Sequence, residues 1–249
     1  MKNVEDITTR VLYPDGREED GERAVISEHL LTVIINEQPV YRLVCTASDL
    51  KELVAGRLLT DGIISKADDI YKIYFCKYEN EASVFLNNDI AWEESIMKVP
   101  TCCTGNRTFA VKEQENKLRK LSGHEWKREW VFNLTEEFSK GSSIHDKTGG
   151  SHVCILAREG KTLYVSEDIG RHNAVDKAVG YALLNDILLS ECMLFTSGRV
   201  PTDMVEKVIA AGIPVLVSKS VPTKESVKLA HEYGLTLICR AWPDKCEVF

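Results

Sequence analysis

Two short stretches of this chain carry most of its chemical capacity, and they differ in kind. The first holds Glu167, Asp168, Arg171, His172, Asp176 and Lys177, six ionisable side chains in eleven positions. A link between two core elements needs a few polar residues to cap a helix, not six charges. Such density reads either as a solvated, ion-paired turn or as a functional loop at the mouth of an α/β sheet. The second is the adjacent pair Cys102 and Cys103. It follows Pro100-Thr101 and precedes Thr104-Gly105-Asn106, which is loop chemistry. A thiol reacts as its thiolate, and Lys98 and Arg107 favour that form if they lie close in space. Neighbouring cysteines sit too near one another for a comfortable disulfide. The pair therefore suits carrying or exchanging sulfur, against the plain alternative of two inert loop thiols.

The remaining cysteines point elsewhere. Cys45, Cys76, Cys154, Cys192 and Cys239 fall in strand-like apolar runs, where a reduced cysteine acts as a small hydrophobe. No C-x-x-C pair supports a zinc site, and no metal ligand set is assigned. His29, His124 and His231 read as surface residues, and His145 as part of a linker. His152 opens a strand and divides evenly between structural and functional use. His172, beside Arg171 and before a helix, is the strongest functional histidine. Walker A, G-x-G-x-x-G, nucleophile-elbow and zinc-deaminase patterns are all missing.

The elements that must position these residues follow from periodicity. Residues 30–36 and 40–45 form a hairpin, residues 48–60 a helix, and residues 70–78 and 82–86 a second hairpin. Before them lie a weakly patterned stretch and one edge strand near residues 8–12. After a polar segment, residues 128–140 repeat Trp130, Val131, Leu134 and Phe138 at helical spacing. Residues 152–158 and 162–166 make a hairpin. From the charged stretch onward strands and helices alternate: strands at 192–196, 213–218 and 235–240, helices at 202–211 and 223–233. Alternation with short links implies right-handed crossovers, a largely parallel sheet and helices on both faces. Ligands collect at the C-terminal ends of such strands. Ser197-Gly198-Arg199 fits an anion there, through close backbone approach, free helix N–H groups and a forked donor; Lys219, Ser220 and Thr223 repeat the theme.

The 249 residues carry a net charge of −7, which weighs against a nucleic-acid backbone binder. No apolar run approaches the roughly 20 residues that span a bilayer, and the N-terminus lacks a signal-peptide core. A cytoplasmic location away from membranes is expected.

Thr148-Gly-Gly-Ser-His152, Glu167 to Lys177, Thr196-Ser-Gly-Arg199, Ala211-Gly-Ile-Pro214, Pro222-Thr223 and Leu235-Thr-Leu237 together resemble the formate dehydrogenase accessory protein family, FdhD. Ala55 to Ile64 matches that family's N-terminal half, so the resemblance runs through nearly the whole chain. It implies an α/β fold: a cytidine-deaminase-like layered sheet with helices on both faces, without the zinc site, plus a smaller strand-rich N-terminal part. The division expected is residues 1–125, holding a reactive loop at about 98–107, and residues 126–249. It also implies a homodimeric sulfur carrier. Sulfur from a cysteine desulfurase is held as a cysteine persulfide and passed to the molybdenum (or tungsten) bis(molybdopterin guanine dinucleotide) cofactor before its insertion into formate dehydrogenase. Aligning the family's reactive loop puts Cys103 in the persulfide position. Cys102 replaces a glycine and Asn106 stands where a second cysteine belongs, which leaves open whether Cys102 takes over as partner. The family's dinucleotide contact carries over to Arg240, Ala241, Trp242, Pro243, Asp244 and Lys245, with Ser197, Gly198, Arg199 and His172 as further cofactor-binding candidates. The rival readings are a cofactor-binding chaperone whose cysteines are incidental, and a zinc-dependent nucleotide deaminase.

Overall fold

The computed structural model describes residues 3–88, 92–93, 106–107, 110–111 and 118–249. The chain opens with a ribbon, β1 (Val4–Leu12) and β2 (Glu18–Ile26), paired without a break from Val4↔Ile26 to Leu12↔Glu18. The sequence reading places only a short edge strand here. β2 is charged and exposed almost throughout, so no apolar period marks it.

β3 (His29–Ile35), β4 (Gln38–Cys45), α1 (Leu50–Thr60), β5 (Ile70–Phe75) and β6 (Glu81–Leu86) follow as expected. The strands β7 (Trp92–Glu93), β8 (Asn106–Arg107) and β9 (Ala110–Val111) are two residues each, and β7 pairs with β9. Five strands join in the order β5-β6-β3-β4-β8. Alternation sends Leu31, Val33, Ile35, Leu43, Ala82 and Val84 to one face, where they meet Leu53, Val54 and Leu58 of α1.

The second half runs α2 (Arg128–Ser139), α3 (His145–Thr148), β10 (His152–Arg158), β11 (Lys161–Asp168), α4 (Arg171–Leu184), β12 (Met193–Thr196), α5 (Thr202–Ala210), β13 (Val215–Ser218), α6 (Lys224–Tyr233), β14 (Thr236–Trp242) and β15 (Lys245–Val248). These strands form one six-stranded sheet, β11-β10-β12-β13-β14-β15. Only β12, β13 and β14 are mutually parallel; the other pairings are antiparallel. The sheet is thus mixed rather than largely parallel. Two hairpins cause this. Glu159 (φ 51°) and Gly160 (φ 74°) supply the left-handed pair that a tight β10–β11 turn requires, and β15 folds back on β14.

Helices cover both faces. Val131 and Leu134 of α2 seal Val153, Ile155, Phe195 and Val217 on one side. α4 and α5 seal Cys154, Leu156, Leu194 and Leu216 on the other. α1 lies against α4, so one apolar core runs from the five-stranded sheet into the six-stranded one. The contact is backbone to backbone. A Cβ on Gly56 would overlap the Asp176 carbonyl, and one on Gly180 would overlap the Glu52 carbonyl. Among the described residues, no helix is long and apolar enough to cross a membrane.

Candidate functional site

The charged stretch turns inward. The Glu167 carboxylate accepts from Ser143 Oγ (3.0 Å), Ile144 N (3.0 Å) and His145 N (3.1 Å), so it caps α3. Asp168 and Lys177 are both fully buried and pair at 2.8 Å. Asp168 also accepts from Thr46 N, Gly170 N and Asn173 Nδ2, at 3.0, 2.8 and 2.9 Å. Lys177 Nζ donates to Thr46 Oγ1 at 2.6 Å and to the Glu167 carbonyl at 3.1 Å. Asp176 Oδ1 accepts from Lys207 Nζ (2.7 Å) and Thr60 Oγ1 (2.8 Å), and Arg57 stands 3.6 Å from its other oxygen. Burial pushes the Lys207 ammonium below its usual range, although Asp176 opposes the shift. These groups join α4 to α1, to α5 and to the segment after β4. Their density reflects a buried seam between the two sheets, not a solvated turn.

Two members of the stretch reach a different place. His172 Nε2 lies 3.0 Å from Asp203 Oδ2, at the start of α5, and the histidine is buried. Burial raises the Asp203 carboxyl, but the hydrogen bond and charge of His172, with Arg171 behind it, hold it below its ordinary value. Arg171 packs on Gly198, where an added Cβ would meet the arginine's Cβ and Cδ at 2.9 Å. Glycine is needed at 198 to let that side chain cross.

Three segments converge at the C-terminal ends of β12, β13 and β14. Val200 N donates to Val221 O at 3.0 Å, Lys219 N to Thr196 O at 3.1 Å, and Arg240 N to Ser220 O at 2.9 Å. Ser218 Oγ donates to the Gly198 carbonyl at 2.8 Å. Ser197 Oγ accepts from Val153 N at 3.0 Å and stands 3.4 Å from His152 Nδ1. Burial lowers the His152 basicity, and the nearby Arg171 and His145 lower it further. Lys219 Nζ lies 5.0 Å from both the Phe138 and the Trp242 ring centres, a cation shared by two aromatic faces. Trp242 and Arg199 are exposed.

Ser197, Gly198, Arg199 and Arg240 are therefore stitched onto one rim, with Trp242 reaching it through Lys219. The segment 240–245 is not a tail beyond the last strand. Arg240, Ala241 and Trp242 end β14, Lys245 begins β15, and Pro243-Asp244 is the turn between them. Arg240 sits at φ 48° in a bulge, where the register slips between Cys239 and Trp242. Ala241 is buried. His29, read as a surface residue, is buried and bonds the Glu79 carbonyl at 2.8 Å. Phe138 and Asp203 belong to this region yet carry no distinguishing sequence signal; one looks like an apolar helix face and the other like a first-turn acid. Among the described residues, no group of three or more His, Cys, Asp or Glu is placed to hold a metal ion.

The FdhD/NarQ family profile matches residues 26–249. The chain belongs to the FdhD/NarQ family. A relative named Sulfur carrier protein FdhD from Bacillus subtilis (strain 168) is 30% identical over 235 residues, covering 91% of this chain and 88% of its own. Another of that name from Listeria innocua is 28% identical over 243 residues, covering 95% and 93%. The crystal structure of a protein assigned as a formate dehydrogenase accessory protein of Desulfotalea psychrophila superposes with a TM-score of 0.81 at 25% identity, covering all of this chain and 97% of that one.

Within this FdhD/NarQ chain, Cys102 and Cys103 lie outside the described residues. Burial raises five of the described thiols. Cys45 and Cys239 are pushed up to about 12 and Cys192 to about 11. Cys154 and Cys246 move in the same direction. An upward shift favours the protonated thiol, the weaker nucleophile.

Proposed function

We propose that this protein is a sulfur carrier that matures formate dehydrogenase. Cys103 accepts sulfur from a cysteine desulfurase and passes it to the molybdenum bis(molybdopterin guanine dinucleotide) cofactor, which is its cargo. The observation that carries the reading is the FdhD/NarQ match over residues 26–249, with relatives named sulfur carriers across nine tenths of the chain. The thiol environments support the assignment to the loop. Five cysteines elsewhere are shifted toward the protonated form by burial, and Cys76 donates its thiol to Asn80 Oδ1 at 2.9 Å, whereas the paired cysteines stand between Lys98 and Arg107 in the sequence, which favours a thiolate.

In the first step the Cys103 thiolate attacks the terminal sulfur of the desulfurase persulfide. A new S–S bond forms, and the desulfurase cysteine leaves as thiolate, so no external oxidant is consumed. In the second, the carried sulfur goes to the cofactor and Cys103 departs as thiolate. The transferred atom becomes sulfide with two electrons from the metal centre that receives it. The rim built by Ser197-Gly198-Arg199, Lys219 and residues 240–245 is the proposed cradle for the guanine dinucleotide portion. Arg199, Arg240 and Lys245 would face phosphates, and Trp242 would offer a ring to the base. His172 would hold the Asp203 side of that cradle. The architecture is read as cytidine-deaminase-like with its metal chemistry lost.

Mass spectrometry after incubation with desulfurase and cysteine tests the assignment. Wild type and Cys102→Ala gain the mass of one sulfur atom, and Cys103→Ala does not. Equal gain by Cys103→Ala, with loss in Cys102→Ala, overturns it.

A further inference from the structure

Basic side chains from three elements gather beside the Ser197-Gly198 turn. His145 comes from α3, His152 from the start of β10 and Arg171 from the start of α4, and all three are half-buried. His152 shares the β10 face of Cys154 and Leu156, which is the face that α4 covers. Of the charged groups acting on His152, Arg171 acts most strongly, and His145 and His172 press in the same direction. Two carboxylates act in this neighbourhood, and both are committed. Asp168 pairs with Lys177 at 2.8 Å, and Asp203 stands 3.0 Å from His172. Drawing basic groups together in a half-buried place opposes their charged forms unless an anion joins them.

The donors are set by their other bonds. Ser197 Oγ accepts from Val153 N at 3.0 Å and stands 3.4 Å from His152 Nδ1, so its own hydrogen is free for that nitrogen. With Ser197 donating, the neutral His152 ring carries its hydrogen on Nε2 and offers it as a donor. Arg171 Nε is buried and, among the described residues, meets no acceptor. A buried guanidinium N–H without an acceptor is a cost that native folds rarely leave unanswered. Arg171 is also the first residue of α4, whose N-cap Gly170 supplies no side-chain cap, so the positive end of that helix acts at the same place.

We propose that Arg171 and His152 form an anion site that takes a tetrahedral oxyanion, a phosphate group, beside the Ser197-Gly198 turn. Gly198 sets the path of the arginine, since a Cβ there would meet the Arg171 Cβ and Cδ at 2.9 Å. Ser197 holds the histidine ring in its donor form. The site is distinct from Arg199, Arg240 and Lys245, which are exposed. Arginine gives the forked donor that an oxyanion fits, and the imidazole adds a second direction of approach. Free phosphate and the phosphate of a nucleotide present the same oxyanion to it. The site rests on the fold and is independent of the sulfur chemistry.

Histidine ring resonances of the full chain, followed by NMR across the histidine titration range, test this. The His152 signal is the one lost in His152→Gln. Inorganic phosphate is expected to raise the His152 midpoint by about half a pH unit or more, since an anion favours the imidazolium, while chloride at equal ionic strength leaves it in place. Arg171→Met should weaken that response about tenfold. Gly198→Ala removes no donor and should weaken it too, by displacing the arginine. If Arg171→Met melts early, Arg171→Gln replaces it. Guanosine diphosphate separates the two sources of phosphate. A response at far lower concentration than inorganic phosphate needs, with none from guanosine, assigns the site to a nucleotide; equal responses assign it to the free ion. A His152 midpoint that ignores both anions overturns the proposal. So does a response that survives Arg171→Met in folded protein, or one that Arg199→Met abolishes while Arg171→Met does not.

Discussion

Residues 167–177 hold six ionisable groups and residues 240–245 hold three, yet the two segments use them in opposite ways. In the first, Asp168, His172, Asp176 and Lys177 are buried and each is paired with a group from another element. In the second, Arg240 has its closest acidic partner at 3.5 Å in an exposed pair with Glu247, and Asp244 and Lys245 face solvent. The density of charge is nearly the same in both, and burial is what marks the first as the place where this fold is fastened. The rim proposed to take a ligand keeps its charges toward solvent and is assembled from separate loops. A buried charge needs several partners to offset its desolvation, so a seam recruits ionisable residues in number. An open rim needs only a few donors left uncommitted.

The largest expected effect tests the seam. Lys177→Met leaves the Asp168 carboxylate buried without its ammonium and lowers unfolding free energy by about 3–5 kcal/mol in urea melts. Adding Asp168→Asn recovers part of the loss, since the stranded charge is gone. A single-variant loss under about 1 kcal/mol would break the contrast. Next in size is Gly180→Ala, where the new methyl must push α1 from α4. A loss of about 1–3 kcal/mol is expected, with the fold retained by circular dichroism.

The rim should answer in the reverse way. Trp242→Ala is expected to leave stability within about 0.5 kcal/mol. Calorimetry with guanosine diphosphate as probe should show binding weakened by about 1–3 kcal/mol, the worth of a lost base stack. If stability falls and binding holds, the rim is structural too. The smallest effect concerns pH. His152 has its folded basicity depressed by burial and by Arg171 and His145, while Asp168 pulls the other way and His172 adds to the depression. Between that lowered value and the unfolded value of about 6.5, the unfolded chain binds more protons. Stability therefore rises with pH through the window just below 6.5. His152→Gln should flatten that slope in melts followed across the window.

The helices and most strands were legible because their apolar residues repeat at the right period: Leu50 to Leu58 for α1, Val131 and Leu134 for α2, and the alternation through β12 to β14. β2 was not, because a ribbon without a buried face carries no such pattern. β15 was hidden for the same reason, being exposed except at Cys246. The family motifs were all visible, but their roles were not. Nothing local says that Asp168 meets Lys177 and Thr46, or that Asp176 meets Arg57 and Lys207, because those pairings join residues up to 122 positions apart. Lys219 between Phe138 and Trp242 likewise exists only after three elements have met.

The glycine contact between α1 and α4 also has a mechanical meaning. Most packed helices touch through side chains, whose rotamers yield and let one helix slide against the other. At Gly56 and Gly180 the backbones touch directly, and no side chain is available to absorb a displacement. The joint is a weld rather than a hinge. At this point α1 and α4 can move together far more easily than one can slide past the other.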